Sequence, residues 1–357
     1  MSKTIEASAE ETEGSMILVN LNGVRGIAIQ PYITEKDRLE LVASLPPSSR
    51  FACIDLAPST EMCGLIDQLI AAGHRLVCFA DHHLNQVQIE RENAEGLRQR
   101  FGKAIRLVDR ITAPSCAHLI TRDEWRKSGV SVVLFHADND GFLGFLKACG
   151  AWYPGLEDDA DISERSSNGI SRLSRVGRLL VESLNTIPYF SMDPEGHLRE
   201  KQRVYQTIAD WVASNCQASD TIHQLKYEVS AACYVAKLAA YQLADEAIEL
   251  PGRVVLSDLR PAAHSGIKVS LPTWRYEVLR RHGNVLLCVI GIGHMGEQVY
   301  VELPRDWWGK IDLRVHLPDG VSGRLRTRVQ VPLDKWEAFL ARWREVFSAL
   351  DFPLNRS

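Results

Sequence analysis

Along the chain, short apolar runs alternate with longer amphipathic stretches. MILVN and GIAIQ read as short strands or one bent strand, with Asn22-Gly23 as turn chemistry between them. TEKDRLELVASL spaces Leu39, Leu41, Val42 and Leu45 for a helix that Thr34 can cap. FACIDL follows as an apolar run. STEMCGLIDQLIAAG is an amphipathic helix, opened by Ser59 or Thr60 and closed by Gly73. RLVCFADHH, IRLVD and VSVVLFHADND are further strand-like runs; ERENAEGLRQRFG and PSCAHLITRDEWRKSG between them read as helices, and GFLGFLKACG resumes a helix. This alternation predicts an α/β fold, a doubly wound parallel sheet with helices on both faces. In such sheets ligands sit outside the carboxyl ends of the strands.

The pattern then changes. After an acidic cluster at Asp158 to Glu164, SRVGRLLVESLNTI, REKQRVYQTIADWVASN and QLKYEVSAACYVAKLAAYQLAD are three helical stretches, and Pro251-Gly252 ends them. RVVLSDL, NVLLCVIGI, QVYVEL and DLRVHL read as strands of a second, smaller α/β domain that the amphipathic helix WEAFLARWREVFSAL closes. Four segments follow: a disordered leader over 1–15, a metal-binding domain over 16–150, a helical connector over 151–250 and a C-terminal domain over 251–357. No internal repeat is present.

Composition narrows the class. The 357 residues are 45% hydrophobic and 24% charged, which excludes wholesale disorder. The longest apolar run, Val285 to Ile292, is far short of the roughly 18 to 20 residues that cross a bilayer. The leader MSKTIEASAEETEGS is acidic and has no apolar h-region, so no secretory signal is expected and the protein is placed in the cytoplasm. Eight scattered cysteines without a C-x-x-C pair read as buried, reduced thiols.

Three apolar runs end in ionisable groups: the first at Asp55, the second at Asp81, His82 and His83, the third at His136, Asp138 and Asp140. Clustered carboxylates repel one another and need cations to offset them. Mixed Asp/His ligation suits Mn²⁺, Mg²⁺ or Fe²⁺, and the absence of Cys from these runs disfavours structural zinc. Taken singly, any of the acids also suits a helix N-cap, Asp140 before Gly141-Phe142 above all.

The string Val77 to His83, VCFADHH, resembles the signature of the DHH phosphoesterase superfamily. FACIDLA is similar to its lone-aspartate motif, and HADNDGFLGFLKACG to its H-x-D-x-D-G motif. Residues 251–330 resemble the substrate-binding C-terminal domain of the same superfamily. The resemblance implies hydrolysis of phosphoester or phosphoanhydride bonds with two divalent ions, usually Mn²⁺ and alternatively Mg²⁺, in a cleft between two domains. It implies Asp55, Asp81, His82, His136, Asp138 and Asp140 as metal ligands, with Asp81 bridging, and His83 with Asp81 as catalytic groups. The motif order departs from the family. The H-x-D-x-D motif normally comes first, whereas here LVNLNGVRG occupies that place with Asn20 and Asn22, and HADNDG follows the DHH. Either the order is permuted, or the first motif has decayed and the chain is a nucleotide-binding sensor or scaffold.

The net charge of −4 divides unevenly. From residue 251 onward there are 16 Lys/Arg against 11 Asp/Glu, and before it 25 against 34. The basic excess thus falls in the domain expected to hold substrate, a nucleotide or short oligonucleotide. Arg275, Arg324 and Arg326 are candidate phosphate contacts, with Trp274, Trp307 and Trp308 to stack bases and Trp336 and Trp343 as core. GIGHMG fits G-x-G-x-x-G, but EQVYVEL after it alternates as a strand, so the glycines read as a hairpin or loop whose His294 approaches substrate. A homodimer is left open, and no membrane partner is expected.

Overall fold

The computed structural model describes residues 16–29, 33–84, 88–165, 172–186, 194–265, 267–293, 296–321 and 326–349. The expected leader, His294 and Arg324 lie outside them. The chain forms two compact units, Met1–Val229 and Ser230–Ser357.

In the first unit, β1 (Ile17–Leu21) and β2 (Val24–Ile29) form a hairpin whose turn residues Asn22 and Gly23 both have positive φ, 51° and 79°. Next come α1 (Glu35–Ser44), whose Asp37 N–H donates to the Thr34 hydroxyl oxygen, and β3 (Arg50–Ile54). Ser59 caps α2 (Thr60–Ala71), which leads to β4 (Arg75–Asp81), α3 (Gln88–Phe101) and β5 (Ile105–Leu107). After the short α4 (Glu124–Lys127), β6 (Val132–His136) runs into α5 (Asn139–Ala148). The sheet order is β1-β2-β6-β3-β4-β5, parallel except for edge strand β1.

Both faces are covered, as alternation within the strands requires. Ile27, Phe51, Leu134 and Phe79 face Leu41 of α1, Leu65 and Leu69 of α2 and Leu97 of α3. On the other face Phe135 stacks on Phe145 of α5, with ring centroids 5.0 Å apart. The helical middle consists of α6 (Leu156–Arg165), α7 (Arg175–Thr186), α8 (Pro194–Ala213) and α9 (Asp220–Asp245). Buried Asp159 ties the start of this region together, accepting from Tyr153 Oη at 2.8 Å and the Ser174 N–H at 2.7 Å.

The second unit contains β7 (Ile248–Leu250), β8 (Val254–Asp258), α10 (Arg260–His264), α11 (Leu271–His282), β9 (Leu286–Gly293), β10 (Gly296–Glu302), β11 (Arg328–Pro332) and α12 (Trp336–Ala349). Its mixed sheet has the order β11-β10-β9-β8-β7, with only β8 and β9 parallel. Trp336, Phe339 and Trp343 of α12 pack on one face; Trp274 and Val278 of α11 pack on the other.

Two expected elements differ. PSCAHLITRDEWRKSG is not one helix but a tight turn at Cys116–Leu119 followed by one-turn α4. Glu124 accepts from the Thr121 N–H at 2.9 Å and binds Arg106, and this local cap restarts the helix there. DLRVHL forms a single 3₁₀ turn, Leu313–His316, because the Asp312 carboxylate accepts from the Arg314 N–H at 3.1 Å and grips its guanidinium. In the GIGHMG segment Gly293 pairs antiparallel with Gly296, so a strand follows and no pyrophosphate-binding helix is present. Among the described residues no helix is long and apolar enough to cross a membrane.

Candidate metal centre

The three strands that end in ionisable groups are consecutive neighbours, β6-β3-β4. Ile54 pairs with Phe135 on one side and Ala80 on the other. The residues one step further, Asp55, His136 and Asp81, therefore leave the sheet at one level. Asp55 turns at once into the left-handed region (φ 57°), which Asp tolerates better than most residues, and its N–H donates to the Ala80 carbonyl at 2.9 Å. Asp138, not Asp140, caps α5: its Oδ1 accepts from the Gly141 N–H at 3.1 Å, and Asp140 sits buried in the first turn.

Asp55 is the centre of the arrangement. Its Oδ1 lies 3.1 Å from His82 Nε2 and 3.4 Å from His83 Nδ1, while its Oδ2 lies 3.5 Å from His136 Nδ1. Beyond it, His136 Nδ1 is 2.6 Å from Asp138 Oδ2, His83 Nδ1 is 2.8 Å from Asp81 Oδ1, and His82 Nε2 is 3.4 Å from Asp140 Oδ2. Three sets of donor atoms each fall within 4.8 Å of one another: Asp55 with His82 and Cys116, with Asp81 and His83, and with His136 and Asp138. Asp55 belongs to all three, whereas Asp81 belongs to one.

The centre has a closed inner wall and an open rim. Asp55, Asp81, His82 and Asp140 are at most 2% exposed, while the side chains of His83 and His136 are 25% and 21% exposed. Burial disfavours a charge on His136, yet Asp138 and Asp55 outweigh it and push its pKa up to about 10. His83 is likewise raised against the cost of burial, by its hydrogen bond to Asp81 and by the fields of Asp81 and Asp55. Burial also opposes ionisation of Asp55, but the close His136 and His82 imidazoles and the field of His83 hold its carboxyl well below the usual carboxylate range.

These residues fit a metal. His82 Nδ1 lies 3.2 Å from the Ala113 carbonyl oxygen, which can only accept, so Nδ1 carries the proton. Nε2 then faces the Asp55 carboxylate at 3.1 Å, the disposition of a metal-ligating imidazole whose other nitrogen is bonded to the backbone. His82 Nε2, His136 Nδ1 and Asp55 Oδ2 are all buried without a hydrogen bond of proper geometry despite their close neighbours. Buried nitrogen and oxygen atoms that converge in this way are what a cation site requires.

Cys116 escaped the sequence reading. Its thiol donates to Asp55 Oδ1 at 3.2 Å, so the premise that no cysteine belongs here is corrected. Burial, then the fields of Asp55, Asp81 and Asp140, raise this thiol well above its ordinary pKa. The one available signal was position: PSC follows the end of β5, the next strand of the same rim. Asn20 and Asn22 take no part. The Asn20 backbone pairs with the Gln206 side chain, and Asn22 Nδ2 donates to the Cys149 carbonyl.

In the second unit Arg275 is held at 2.6 Å by Glu302, which also binds Arg328, and Arg326 is an exposed side chain 3.4 Å from Asp312. Trp274 and Trp307 are buried in the two cores and cannot stack a base; only Trp308 of that trio is exposed. Trp336 and Trp343 are core, as their spacing predicts.

Fold and site together define an α/β protein whose central strands converge on a buried Asp/His cluster of metal-ligand type. No family model matches the sequence, and no curated protein matches it. Among solved structures, the chain is similar to an exopolyphosphatase-related protein from Bacteroides fragilis, with 10% identity over 88% of this chain and 75% of that one and a TM-score of 0.38. It is also similar to PggH, a pGpG-specific phosphodiesterase from Vibrio cholerae, with 12% identity over 84% of this chain and 99% of that one and a TM-score of 0.43.

Proposed function

We propose that the chain is a divalent-metal-dependent phosphoesterase that hydrolyses phosphodiester or phosphoanhydride bonds of a nucleotide or short oligonucleotide. One observation carries this reading: the two oxygens of Asp55 face two different His/Asp groups, the disposition of a carboxylate that bridges two ions. His136, Asp138 and Asp55 Oδ2 would hold one ion; His82 and Asp55 Oδ1 would contribute to the other. When bound, the ions supply Lewis acidity at the phosphoryl group and offset charge developing on its oxygens.

The protein's own groups do the rest. Asp81 holds His83 at two points, accepting from its backbone N–H at 2.9 Å and from its ring Nδ1 at 2.8 Å. That fixes the ring and leaves Nε2, on a side chain open at the rim, to donate to a phosphoryl or leaving-group oxygen. The Asp81 carboxylate raises the pKa of His83 against the cost of burial, which favours the donor form for that step. Mn²⁺ is the first ion to try and Mg²⁺ the second, since the rim groups are all oxygen and nitrogen donors.

The test is a substrate panel in Mn²⁺: a generic phosphodiester, linear and cyclic dinucleotides, short oligonucleotides and pyrophosphate. Metal-dependent turnover of a nucleotide substrate, abolished by chelation, is expected. A chain that binds Mn²⁺ yet turns over none of these would leave the non-hydrolytic sensor as the reading.

A further inference from the structure

We propose that the inner half of this centre is a thiolate site, in which Cys116 joins Asp55 and His82 to select a thiophilic divalent ion such as Zn²⁺ or Co²⁺ over Mn²⁺ and Mg²⁺. The inference rests on the metal-centre reading above and divides that centre chemically.

The spacing supports it. An ion with bonds of about 2.3 Å to sulfur and about 2.0–2.2 Å to nitrogen and oxygen places tetrahedral ligands roughly 3.2–3.6 Å apart. Cys116 Sγ is 3.2 Å from Asp55 Oδ1, His82 Nε2 is 3.1 Å from the same oxygen, and the three donor atoms all lie within 4.8 Å of one another. The second observation is His82 itself, fully buried, with an Nε2 that makes no hydrogen bond and faces into this set. One sulfur, one imidazole and one carboxylate suit a borderline ion of the zinc type. The inner wall is closed to water, which disfavours Mg²⁺, an ion that sheds its hydration shell reluctantly.

The other half of the centre differs. His136, Asp138 and Asp55 Oδ2 offer no sulfur, and the His136 and Asp138 side chains are 21% and 35% exposed. That rim suits a hard, partly hydrated ion. Binding at the inner half converts the Cys116 S–H into a sulfur–metal bond and releases its proton to solvent, replacing the S–H···O contact to Asp55.

The experiment adds Co²⁺ to the metal-free full-length protein and follows the near-ultraviolet spectrum. A sulfur-to-cobalt charge-transfer band that saturates at one equivalent and vanishes in Cys116→Ser is expected. X-ray absorption of the protein loaded with one equivalent of Zn²⁺ should show one sulfur neighbour at about 2.3 Å, a readout that needs no variant. In Cys116→Ser, Zn²⁺ affinity should fall at least about tenfold while Mn²⁺ affinity changes far less. Co²⁺ uptake without the band, a band that survives Cys116→Ser, or a zinc shell of oxygen and nitrogen alone would overturn the proposal and leave the metal centre standing. Failure to take up any of these ions would overturn both.

Discussion

At the scale of the residue, the centre gathers the carboxylates of Asp55, Asp81, Asp138 and Asp140 around three imidazoles. His136 carries a proton at neutral pH in the metal-free protein, because Asp138 and Asp55 push its pKa up to about 10. Its protonated form is therefore the stable one from acid to mildly alkaline pH, and an incoming ion must displace that proton. Metal affinity should rise as pH rises, with net proton release. NMR titration of the metal-free protein should place the His136 midpoint far above the ordinary 6.5; a midpoint near that ordinary value would contradict the geometry. His83 makes a separate prediction. His83→Ala should lower kcat by about 10²–10⁴ and leave Mn²⁺ uptake largely unchanged, measured by steady-state kinetics beside a metal titration. Much of this chemistry was legible beforehand, because Asp55, Asp81-His82-His83 and His136 to Asp140 each end an apolar run. Cys116 was not, since a lone thiol inside a helix-like stretch reads as core. The tryptophans were misleading for a related reason: Trp274 and Trp307 stand among arginines in sequence but point into the cores.

At the scale of the element, the joint between β6 and α5 is where fold and site meet. A Cβ added to Gly141 would lie 2.6 Å from the His136 carbonyl oxygen and 3.1 Å from Asp138 Oδ1. The first of these atoms is backbone and cannot move aside. Gly141→Ala should push the first turn of α5 off the strand end, cost about 1–3 kcal/mol in urea unfolding, and weaken Mn²⁺ binding as Asp138 and Asp140 shift with it. Unchanged stability and metal affinity would show that the joint is less constrained than it looks. The alternation of strands and helices was readable from hydrophobic periodicity. The order across the sheet was not, since nothing local says that β6 enters between β2 and β3. That insertion brings HADND beside Asp55 although 80 residues separate the segments. Where the expected elements differ, a side-chain carboxylate captures a backbone N–H: Glu124 that of Thr121, where the helix restarts, and Asp312 that of Arg314, where a single turn replaces the strand.

At the scale of the whole molecule, the net charge of −4 conceals a division: residues before 251 carry 25 basic against 34 acidic groups, and the remainder 16 against 11. The acidic share includes the centre that awaits cations. Metal should accordingly act locally in hydrogen exchange, slowing amides at the carboxyl ends of β3, β4 and β6 and leaving β8 to β10 unchanged. Uniform protection, or none at those strand ends, would speak against the placement. If the substrate is an oligonucleotide, its affinity should fall steeply with salt; a mononucleotide would show a shallower slope. The most direct test of the central claim is a Mn²⁺ titration of the metal-free chain beside Asp55→Asn, followed by electron paramagnetic resonance of the free ion. The wild type should take up Mn²⁺, and Asp55→Asn should lose at least about tenfold in affinity because the shared ligand is gone. A wild type that binds no Mn²⁺ at any pH, or an Asp55→Asn that binds it equally well, would contradict the account.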